Sequence, residues 1–169
     1  MSKSAGGPSG IGYVIVTVST RKYARKVQGR DVGDDSGNVA ESVVTNAGGR
    51  LARRELISDD PRMLKEKVEG FLAGSEDVAV FVGGTGVSPD DLTIESLRPY
   101  FERELEGFGE VLRETSYDSI GSAAMLTRAT AGLSSGKLIV CLPGSPDAVL
   151  TGLRNTIGVF ERVLAQART

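Results

Sequence analysis

The sequence predicts an α/β protein, a three-layer α/β/α sandwich built around a mostly parallel sheet. Three apolar runs of strand length, residues 13–18, 78–82 and 138–142, are rich in valine and isoleucine, as buried parallel strands are. Segments whose apolar residues recur at helical spacing separate these runs. Strands and helices that alternate along a chain form a parallel sheet with helices packed on both faces.

The first sixty residues are expected to supply two strands with a loop and a helix between them. Residues 13–18 are the first strand, and the polar, basic residues 19–35 are predicted to be a long loop. Ser36 is placed to cap a helix that ends at Gly48-Gly49. Residues 51–57 are a weaker strand, because their apolar and polar residues do not alternate cleanly.

The rest of the chain alternates helices with the two remaining apolar strands. Asp60-Pro61 is a typical helix start, with aspartate at the cap and proline in the first turn. Two more helices are predicted over residues 93–106, capped by Thr93, and over residues 119–131, where small side chains predominate. Gly132 would end the second of these, and Ser145-Pro146 starts the last helix. With no internal repeat, residues 12–169 are expected to form a single domain after a disordered tail, residues 1–11.

The composition fits a soluble, cytoplasmic protein of 169 residues. No apolar stretch approaches the roughly 18 residues of a membrane span, and the N-terminal residues lack the apolar segment of a signal peptide. The single cysteine, Cys141, lies in a predicted buried strand and cannot form an intramolecular disulfide. Histidine is absent, which excludes Ser-His-Asp and Cys-His catalysis and histidine metal sites. Catalysis must therefore use carboxylates, hydroxyls, lysine, arginine or backbone dipoles.

Charge is distributed unevenly along the chain. Residues 1–30 carry six basic residues and no acidic one, whereas the remainder carries 14 basic and 22 acidic residues. A basic segment can bind an anionic ligand or nucleic acid, or can simply be a solvated loop. Tyr23 is the only tyrosine near these cations that could stack on a base, which argues against binding of single-stranded nucleic acid.

Two glycine-containing turns carry the strongest functional information. Gly83-Gly84-Thr85-Gly86 follows the strand at residues 78–82, and Pro143-Gly144-Ser145-Pro146 follows the strand at residues 138–142. Open α/β sheets bind ligands outside the carboxyl ends of their strands, and glycine lets the backbone N–H groups approach an anion. Asp90-Asp91 follows the first turn. Backbone donors beside carboxylates indicate a phosphate-bearing ligand and a divalent cation.

These features also have purely structural explanations. Ser145-Pro146 is a good helix start, and Asp60 is explained as a helix cap. Asp59 is either a turn residue or a site carboxylate, and Arg128, predicted to lie in the middle of a helix, is either a surface charge or a phosphate clamp. The dinucleotide fingerprint does not fit, because Pro89 stands where that motif needs glycine or alanine. The P-loop does not fit either, because residues 132–137 are one residue shorter than that motif.

Several segments, taken in order, resemble the MoaB/Mog family of molybdenum-cofactor biosynthesis, which includes the molybdopterin adenylyltransferases and the related gephyrin domain. The resemblance covers about residues 12–165. The most specific matching segment is G-G-T-G-V-S-P-D-D-L-T-I-E at residues 83–95, supported by L-P-G-S-P-D-A-V at residues 142–149. Shorter matches are V-T-V-S-T-R at 16–21, D-S-G at 35–37, I-S-D-D at 57–60, G-F-G-E at 107–110 and T-R-A at 127–129.

The resemblance implies adenylylation of molybdopterin by ATP with Mg²⁺, which releases pyrophosphate, by a homotrimer or homohexamer that binds neither nucleic acid nor membrane. It places the catalytic and metal-binding carboxylates on Asp91 and Asp59. The matching segments supply the other candidate ligand-binding residues: Ser19, Arg21, Ser36, Gly83, Gly84, Thr85, Gly86, Ser88, Thr127, Arg128, Pro143, Gly144, Ser145 and Pro146.

One departure from the family pattern bears on activity. The family usually has arginine before the aspartate that falls on Asp91, whereas this chain has Asp90. Some family members are thought to bind the pterin without adenylylating it. A non-catalytic molybdopterin-binding protein and an assembly scaffold are therefore the alternatives to the enzyme.

Overall fold

The computed structural model describes residues 10–169, which form one six-stranded mixed sheet with helices on both faces. The strand order is β2-β1-β3-β6-β5-β4. Strands β2, β1, β3 and β6 are parallel, and β5 and β4 continue the sheet antiparallel. The strands are β1 (Gly12–Val18), β2 (Arg50–Ile57), β3 (Val78–Val82), β4 (Arg103–Glu104), β5 (Thr130–Ser134) and β6 (Lys137–Leu142).

In residues 10–169, seven α-helices and three short 3-10 turns connect and cover these strands. The helices are α1 (Thr20–Val27), α2 (Asp35–Asn46), α3 (Pro61–Ala73), α4 (Thr93–Leu97), α5 (Glu106–Ile120), α6 (Pro146–Thr156) and α7 (Phe160–Ala167). The 3-10 turns are Arg98–Tyr100, Gly121–Leu126 and Ile157–Val159. None of the described helices is both long enough and apolar enough to cross a bilayer.

The core lies in two layers, one on each face of the sheet, which confirms the predicted three-layer sandwich. Because side chains alternate along a strand, Ile15 and Val80 face α2, α5, α6 and α7, whereas Val16 and Phe81 face α3 and α4. All residues of β1 and β3 are buried, which explains their continuous apolar runs. Cys141 lies fully buried in this core.

The chain reverses direction across the sheet at β1. It leaves β1 by way of α2 to reach β2 on one side, and then passes along α3 to reach β3 on the other. At such a reversal the connections leave the carboxyl ends of neighbouring strands in opposite directions and open a crevice between them. The registry Thr17 opposite Val82 places the ends of β1 and β3 side by side at that crevice.

Four local predictions were wrong, two of them upstream of β2. Residues 20–27 of the expected loop form α1, with Ser19 accepting a hydrogen bond from the Lys22 N–H as its cap. Helix α2 is capped by Asp34 rather than Ser36, since the Asp34 carboxylate accepts the Gly37 N–H. Ser36 is instead a buried residue of the first helical turn.

The other two wrong predictions concern the second half of the chain. The helix expected over residues 93–106 stops at Leu97, where a 3-10 turn containing Pro99 leads to β4. Its N-cap is Leu92 rather than the predicted Thr93, which is the first helical residue. Residues 119–131 are not one helix: α5 ends at Ile120, a 3-10 turn follows, and Thr130 already belongs to β5. Gly132 is a strand residue whose missing side chain admits the Phe101 ring. Strand β5 turns into β6 through Ser135 and Gly136, both with positive φ, as a two-residue hairpin requires.

The predicted tail falls almost entirely on residues 1–9, which lie outside the described residues. Ile11 is already buried, and its carbonyl accepts the Arg50 N–H at 2.9 Å. Asp60 and Pro61 start α3 as predicted, with the Asp60 carboxylate accepting the Arg62 N–H. Ser145 and Pro146 likewise start α6.

Candidate active site

The crevice at the ends of β1 and β3 is a cleft of about 360 Å³. Both glycine-containing turns contribute to its wall, through Gly83 to Gly86 and through Pro143 and Gly144. The two turns touch, since a Cβ added to Gly144 would lie 3.4 Å from the Gly83 Cα. The structure thus brings together two segments that lie some sixty residues apart in the sequence.

The first turn needs glycine for both conformation and space. Gly83 has φ +106° and Gly84 has φ +65°, values that side chains strongly disfavour. A Cβ on Gly83 would collide with the Val18 carbonyl oxygen, and one on Gly84 with the Asp59 carboxylate and the Thr93 hydroxyl. The backbone of this turn is therefore packed directly against a carboxylate.

Thr93 holds the turn in place from below. Its hydroxyl donates to the Gly83 carbonyl at 2.8 Å, and its backbone N–H donates to the Gly84 carbonyl at 3.0 Å. Thr93 is fully buried as the first residue of α4. Both carbonyls are consequently engaged on the side of the turn that faces the protein.

Unlike these carbonyls, most N–H groups of the same turn have no hydrogen-bond partner among residues 10–169. The Gly83 N–H donates to the Leu142 carbonyl at 2.9 Å, but those of Gly84, Thr85 and Gly86 make no hydrogen bond within residues 10–169. Backbone donors that protein groups leave unpaired require water or a ligand. Three successive donors in the wall of a cleft favour an anion.

Asp91 lies in the cleft against this turn. A Cβ on Gly86 would come within 2.5 Å of the Asp91 Oδ2. The Ser88 N–H donates to that oxygen at 3.0 Å, and the Asp91 N–H donates in return to the Ser88 carbonyl at 3.0 Å. This reciprocal pair fixes the carboxylate at the edge of the cleft. Ser88 itself supports Asp91 and is not part of the wall.

Asp59 lies on the other side of the glycine turn, in an adjoining pocket of about 690 Å³ that it shares with Asp60 and Asp90. The Leu92 N–H donates to both Asp59 carboxylate oxygens at 3.2 Å, and the Asp59 N–H donates to the Thr20 hydroxyl at 3.1 Å. The two predicted catalytic carboxylates therefore flank the turn rather than share one cleft.

Asp59 lies among other carboxylates, of which Glu95 is paired with Arg128. Burial raises the pKa of the Asp59 carboxyl to about 6, and the charges of Asp91, Glu95 and Asp90 also raise it, against the lowering effect of the Leu92 N–H. Like charges near one another are stabilised when a cation joins them.

The residues fit a magnesium ion that is held only in part by protein. Mg²⁺ is usually bound by one or two carboxylates together with substrate phosphates and water. Asp59 and Asp91 provide two carboxylates beside a phosphate-type cleft, and within the described residues no group of three or more acidic, histidine or cysteine side chains is arranged to hold a metal.

The remaining predicted residues divide into those in the cleft wall and those outside it. Ser19, Ser36 and Thr127 contribute to the wall, and the Ser36 hydroxyl donates to the Gly144 carbonyl, which holds the second turn in place. Ser145 instead accepts the Ala148 N–H as the cap of α6, and it borders a different pocket with Asp147. Arg21 and Pro146 are also outside the cleft wall.

Arg128 braces the glycine turn rather than pointing into the cleft wall. It lies in an extended segment before β5, and not within a helix. One of its guanidinium nitrogens donates to the Gly86 carbonyl at 2.6 Å, and the other is paired with Glu95. For Arg128 to clamp a phosphate, its ion pair with Glu95 would have to break.

Sequence reasoning missed several residues of the wall, among them Thr17, Val82, Leu126 and Lys22. Val82 is the last residue of β3 and Thr17 the last but one of β1, so both could have been inferred from the strand assignments alone. Lys22 lies in the segment predicted to be a loop, and a loop prediction assigns no direction to its side chain. Once Ser19 is recognised as a cap, the helical spacing places Lys22 in the first turn, beside the strand ends.

Glycine turns at the strand ends of an open α/β sheet, three backbone donors left unpaired within residues 10–169 and flanking carboxylates are the features of a site for a phosphate-bearing ligand. The family model described as a probable molybdopterin binding domain matches residues 14–162. The chain belongs to this family.

Relatives and solved structures agree with that assignment. The chain is 39% identical over 145 residues to a probable molybdopterin adenylyltransferase from Methanocaldococcus jannaschii, covering 85% of this chain and 86% of the relative. It is 38% identical to the molybdopterin adenylyltransferase of Pyrococcus furiosus, covering 80% and 81%. The crystal structure of the tungsten cofactor synthesizing protein MoaB from Pyrococcus furiosus superimposes with a TM-score of 0.83 at 33% identity, covering 96% of this chain and 99% of that one.

Proposed function

We propose that residues 12–169 form a single cytoplasmic domain that adenylylates molybdopterin with Mg-ATP and releases pyrophosphate. The observation that carries the proposal is the cleft in which Gly84, Thr85 and Gly86 present unpaired N–H groups beside Asp91. Relatives named molybdopterin adenylyltransferase, similar over most of both chains, support the reaction type.

The reaction suits a chain without histidine. A terminal phosphate oxygen of molybdopterin attacks the α-phosphorus of ATP, a new P–O bond forms, and the bond to the β-phosphate breaks as pyrophosphate leaves. The substrate supplies the nucleophile, so the protein has to position the two reactants and offset their negative charge.

The residues of the cleft divide this work. The N–H groups of Gly84, Thr85 and Gly86 hold a phosphate of the pterin, because backbone donors bind an anion without adding a side chain to the cleft. Asp91, at the edge of the cleft, and Asp59, across the glycine turn, are the carboxylates that would hold Mg²⁺, which would offset charge on the triphosphate. Thr93 and Arg128 brace the turn through its carbonyls, so its N–H groups keep their direction.

The test is the initial rate of pyrophosphate release from ATP with and without molybdopterin. Pyrophosphate release that requires both molybdopterin and magnesium is the expected result. Tight pterin binding with no turnover would instead favour a carrier protein, in line with the acidic Asp90 in the adjoining pocket. Absence of both binding and turnover would favour a scaffold.

We further propose that the protein assembles as a homotrimer or homohexamer through the exposed apolar side chains of Tyr117, Ile120 and Met125. These side chains are 53–78% exposed and lie within ten residues of one another along the chain. Concentrated exposed apolar surface of this kind marks protein interfaces. Light scattering is expected to give a mass of at least three chains, and Tyr117→Lys with Met125→Lys to reduce it; a parent mass near 18 kDa would contradict the proposal.

A further inference from the structure

Helix α1 is built unlike the other helices of the protein. Its eight residues include Arg21, Lys22, Arg25 and Lys26, no acidic residue in the first turn, and no buried residue. Short helices in proteins are normally stabilised by packing an apolar face against the core. The apolar residues of this helix, Tyr23, Ala24 and Val27, are not buried in the core, so core packing does not explain its sequence.

The cations of α1 also repel one another. Arg21 and Arg25, and Lys22 and Lys26, are four residues apart and therefore neighbours on the helix surface, where like charges destabilise a helix. Sequences that work against local stability in this way are expected where function requires it. The arrangement indicates that the positive charge of α1 serves a ligand.

None of these four side chains forms an ion pair with any described residue. By contrast, Arg53, Arg54, Lys67, Arg98, Arg128 and Arg168 are all paired with carboxylates. The four cations of α1 are thus available to a ligand, as are other cations of the described residues that form no ion pair, such as Arg103, Arg154 and Arg162.

The helix is anchored at the cleft. The Ser19 N–H donates to the Ile57 carbonyl at 2.9 Å, and the Thr20 hydroxyl accepts the Asp59 N–H at 3.1 Å. Lys22 lies in the cleft wall. Arg25 and Lys26, three and four residues further on, lie on the same side of the helix, about one turn farther from Lys22. Lys22, Arg25 and Lys26 form a cationic stripe that runs outward from the cleft.

Lys22 is also the only cation in the cleft wall formed by the described residues, where Asp91 is the only acidic residue. Arg128 is engaged by Glu95 and by the Gly86 carbonyl. A phosphate-bearing ligand entering beside Asp91, with Asp59 and Asp90 close by, meets net negative charge unless a cation opposes it.

We propose that Lys22 contacts a phosphate group of the bound substrate and that the cationic stripe speeds the entry of polyphosphate anions into the cleft. The inference rests on the proposed function, which supplies two phosphate sources, the triphosphate of ATP and the terminal phosphate of molybdopterin. Charged surfaces leading to a cleft raise association rates by about 10- to 1,000-fold at low salt.

The contact is tested with Lys22→Gln in the full chain. Affinities are measured by calorimetry for α,β-methylene-ATP with Mg²⁺, which cannot be cleaved at the α–β bond, and separately for molybdopterin. We expect the affinity for one of the two to fall about tenfold to a hundredfold, which is typical of a lost hydrogen bond to a charged group, and Lys22→Arg to restore most of it. The probe that loses affinity identifies the phosphate that is contacted. Unchanged affinities for both probes would overturn the contact.

The stripe is tested with the double variant Arg25→Gln, Lys26→Gln. The matched control is Arg154→Gln, Arg162→Gln, which removes the same charge from exposed positions on α6 and α7. By stopped flow at about 10 mM salt, the stripe variant is expected to bind the nucleotide analogue three- to tenfold more slowly than the control. The difference should vanish near 1 M salt, where charges are screened beyond about 3 Å.

Equal association rates in the stripe variant and the control would overturn the role of the stripe. Preferential binding of a single-stranded oligonucleotide over the nucleotide analogue would assign the stripe to nucleic acid and would also overturn it. If the parent protein binds the nucleotide analogue but does not turn over ATP, the proposed function is refuted. The roles of Lys22 and the cationic stripe are then still decided by the binding measurements on the same variants. If the parent binds neither the analogue nor molybdopterin, both proposals fail.

Discussion

Asp91→Asn separates the charge of this side chain from its shape. Asparagine is nearly isosteric, and its amide oxygen can still accept the Ser88 N–H that Asp91 Oδ2 now accepts at 3.0 Å. The Ser88 carbonyl still receives the backbone N–H of residue 91. The turn beside Gly86 should therefore keep its geometry, and the variant loses only the negative charge at the edge of the cleft.

Two magnitudes distinguish a catalytic from a structural role. Weakening one charge-assisted hydrogen bond to a neutral one costs about 1 kcal/mol, which is roughly a fivefold effect. Loss of a preorganised charge contact in the transition state typically costs about 100- to 1,000-fold in rate. We expect the larger effect for Asp91→Asn, with pterin affinity changed by less than about fivefold, because the glycine turn supplies that contact.

The assay is the initial rate of pyrophosphate release at saturating ATP and molybdopterin, repeated over a range of magnesium concentrations. Asp59→Asn is expected to show a milder loss, because Asp59 lies across the glycine turn and outside the cleft wall. Asp60→Asn is the control for a lost surface charge. Its rate of pyrophosphate release should be close to that of the parent, because asparagine also caps helices. If Asp91→Asn retains more than about half of the parent rate, the catalytic role of Asp91 is wrong.

Three further predictions concern the supports of the site. Gly84→Ala should abolish pterin binding with little loss of helix content, since a Cβ at φ +65° would strike the Asp59 carboxylate; Gly107→Ala, in open space on α5, is the control, and equal affinities in the two would refute the argument. Thr93→Val should lower the free energy of unfolding by about 1–3 kcal/mol, because the Gly83 carbonyl loses its buried donor; denaturant titration with an unchanged midpoint would contradict this. Burial opposes ionisation of Asp34, but hydrogen bonds from Thr17, Arg54 and Gly37 outweigh it and hold its pKa below the usual range. Because a lowered folded-state pKa stabilises the protein above the unfolded pKa of about 3.9, Asp34→Asn should be destabilising at pH 7 and converge on the parent as pH falls below that value; a difference in unfolding free energy that does not depend on pH would refute the role of the charge.

The strands β1, β3 and β6 and the turns that follow β3 and β6 were predictable because their causes are local. A strand buried on both faces needs consecutive apolar residues, and a backbone with positive φ in close contact with its neighbours needs glycine. Asp60-Pro61 and Ser145-Pro146 likewise satisfy the first turn of their own helices. The candidate glycines, Asp91 and Asp59 could be named for the same reason, together with the family resemblance.

What the sequence misjudged depends on partners distant along the chain. Residues 130–134 are small and compatible with a helix, but they pair with β6, and Gly132 accommodates the Phe101 ring. Helix α1 buries no residue in the core. Ser19 and Thr20 instead anchor it to Ile57, the last residue of β2, and to Asp59.

The sequence by itself determined which residue types are suited to bind phosphate and at which strand ends they stand, since those choices follow from backbone conformation and burial. Only the tertiary structure decided how they are arranged: Asp91 and Asp59 on opposite sides of the glycine turn, Arg128 turned to Glu95, and Lys22 in the cleft. The physical reason is that contacts between separate elements depend on how helices and strands pack against one another, and side-chain spacing along one segment does not specify that packing.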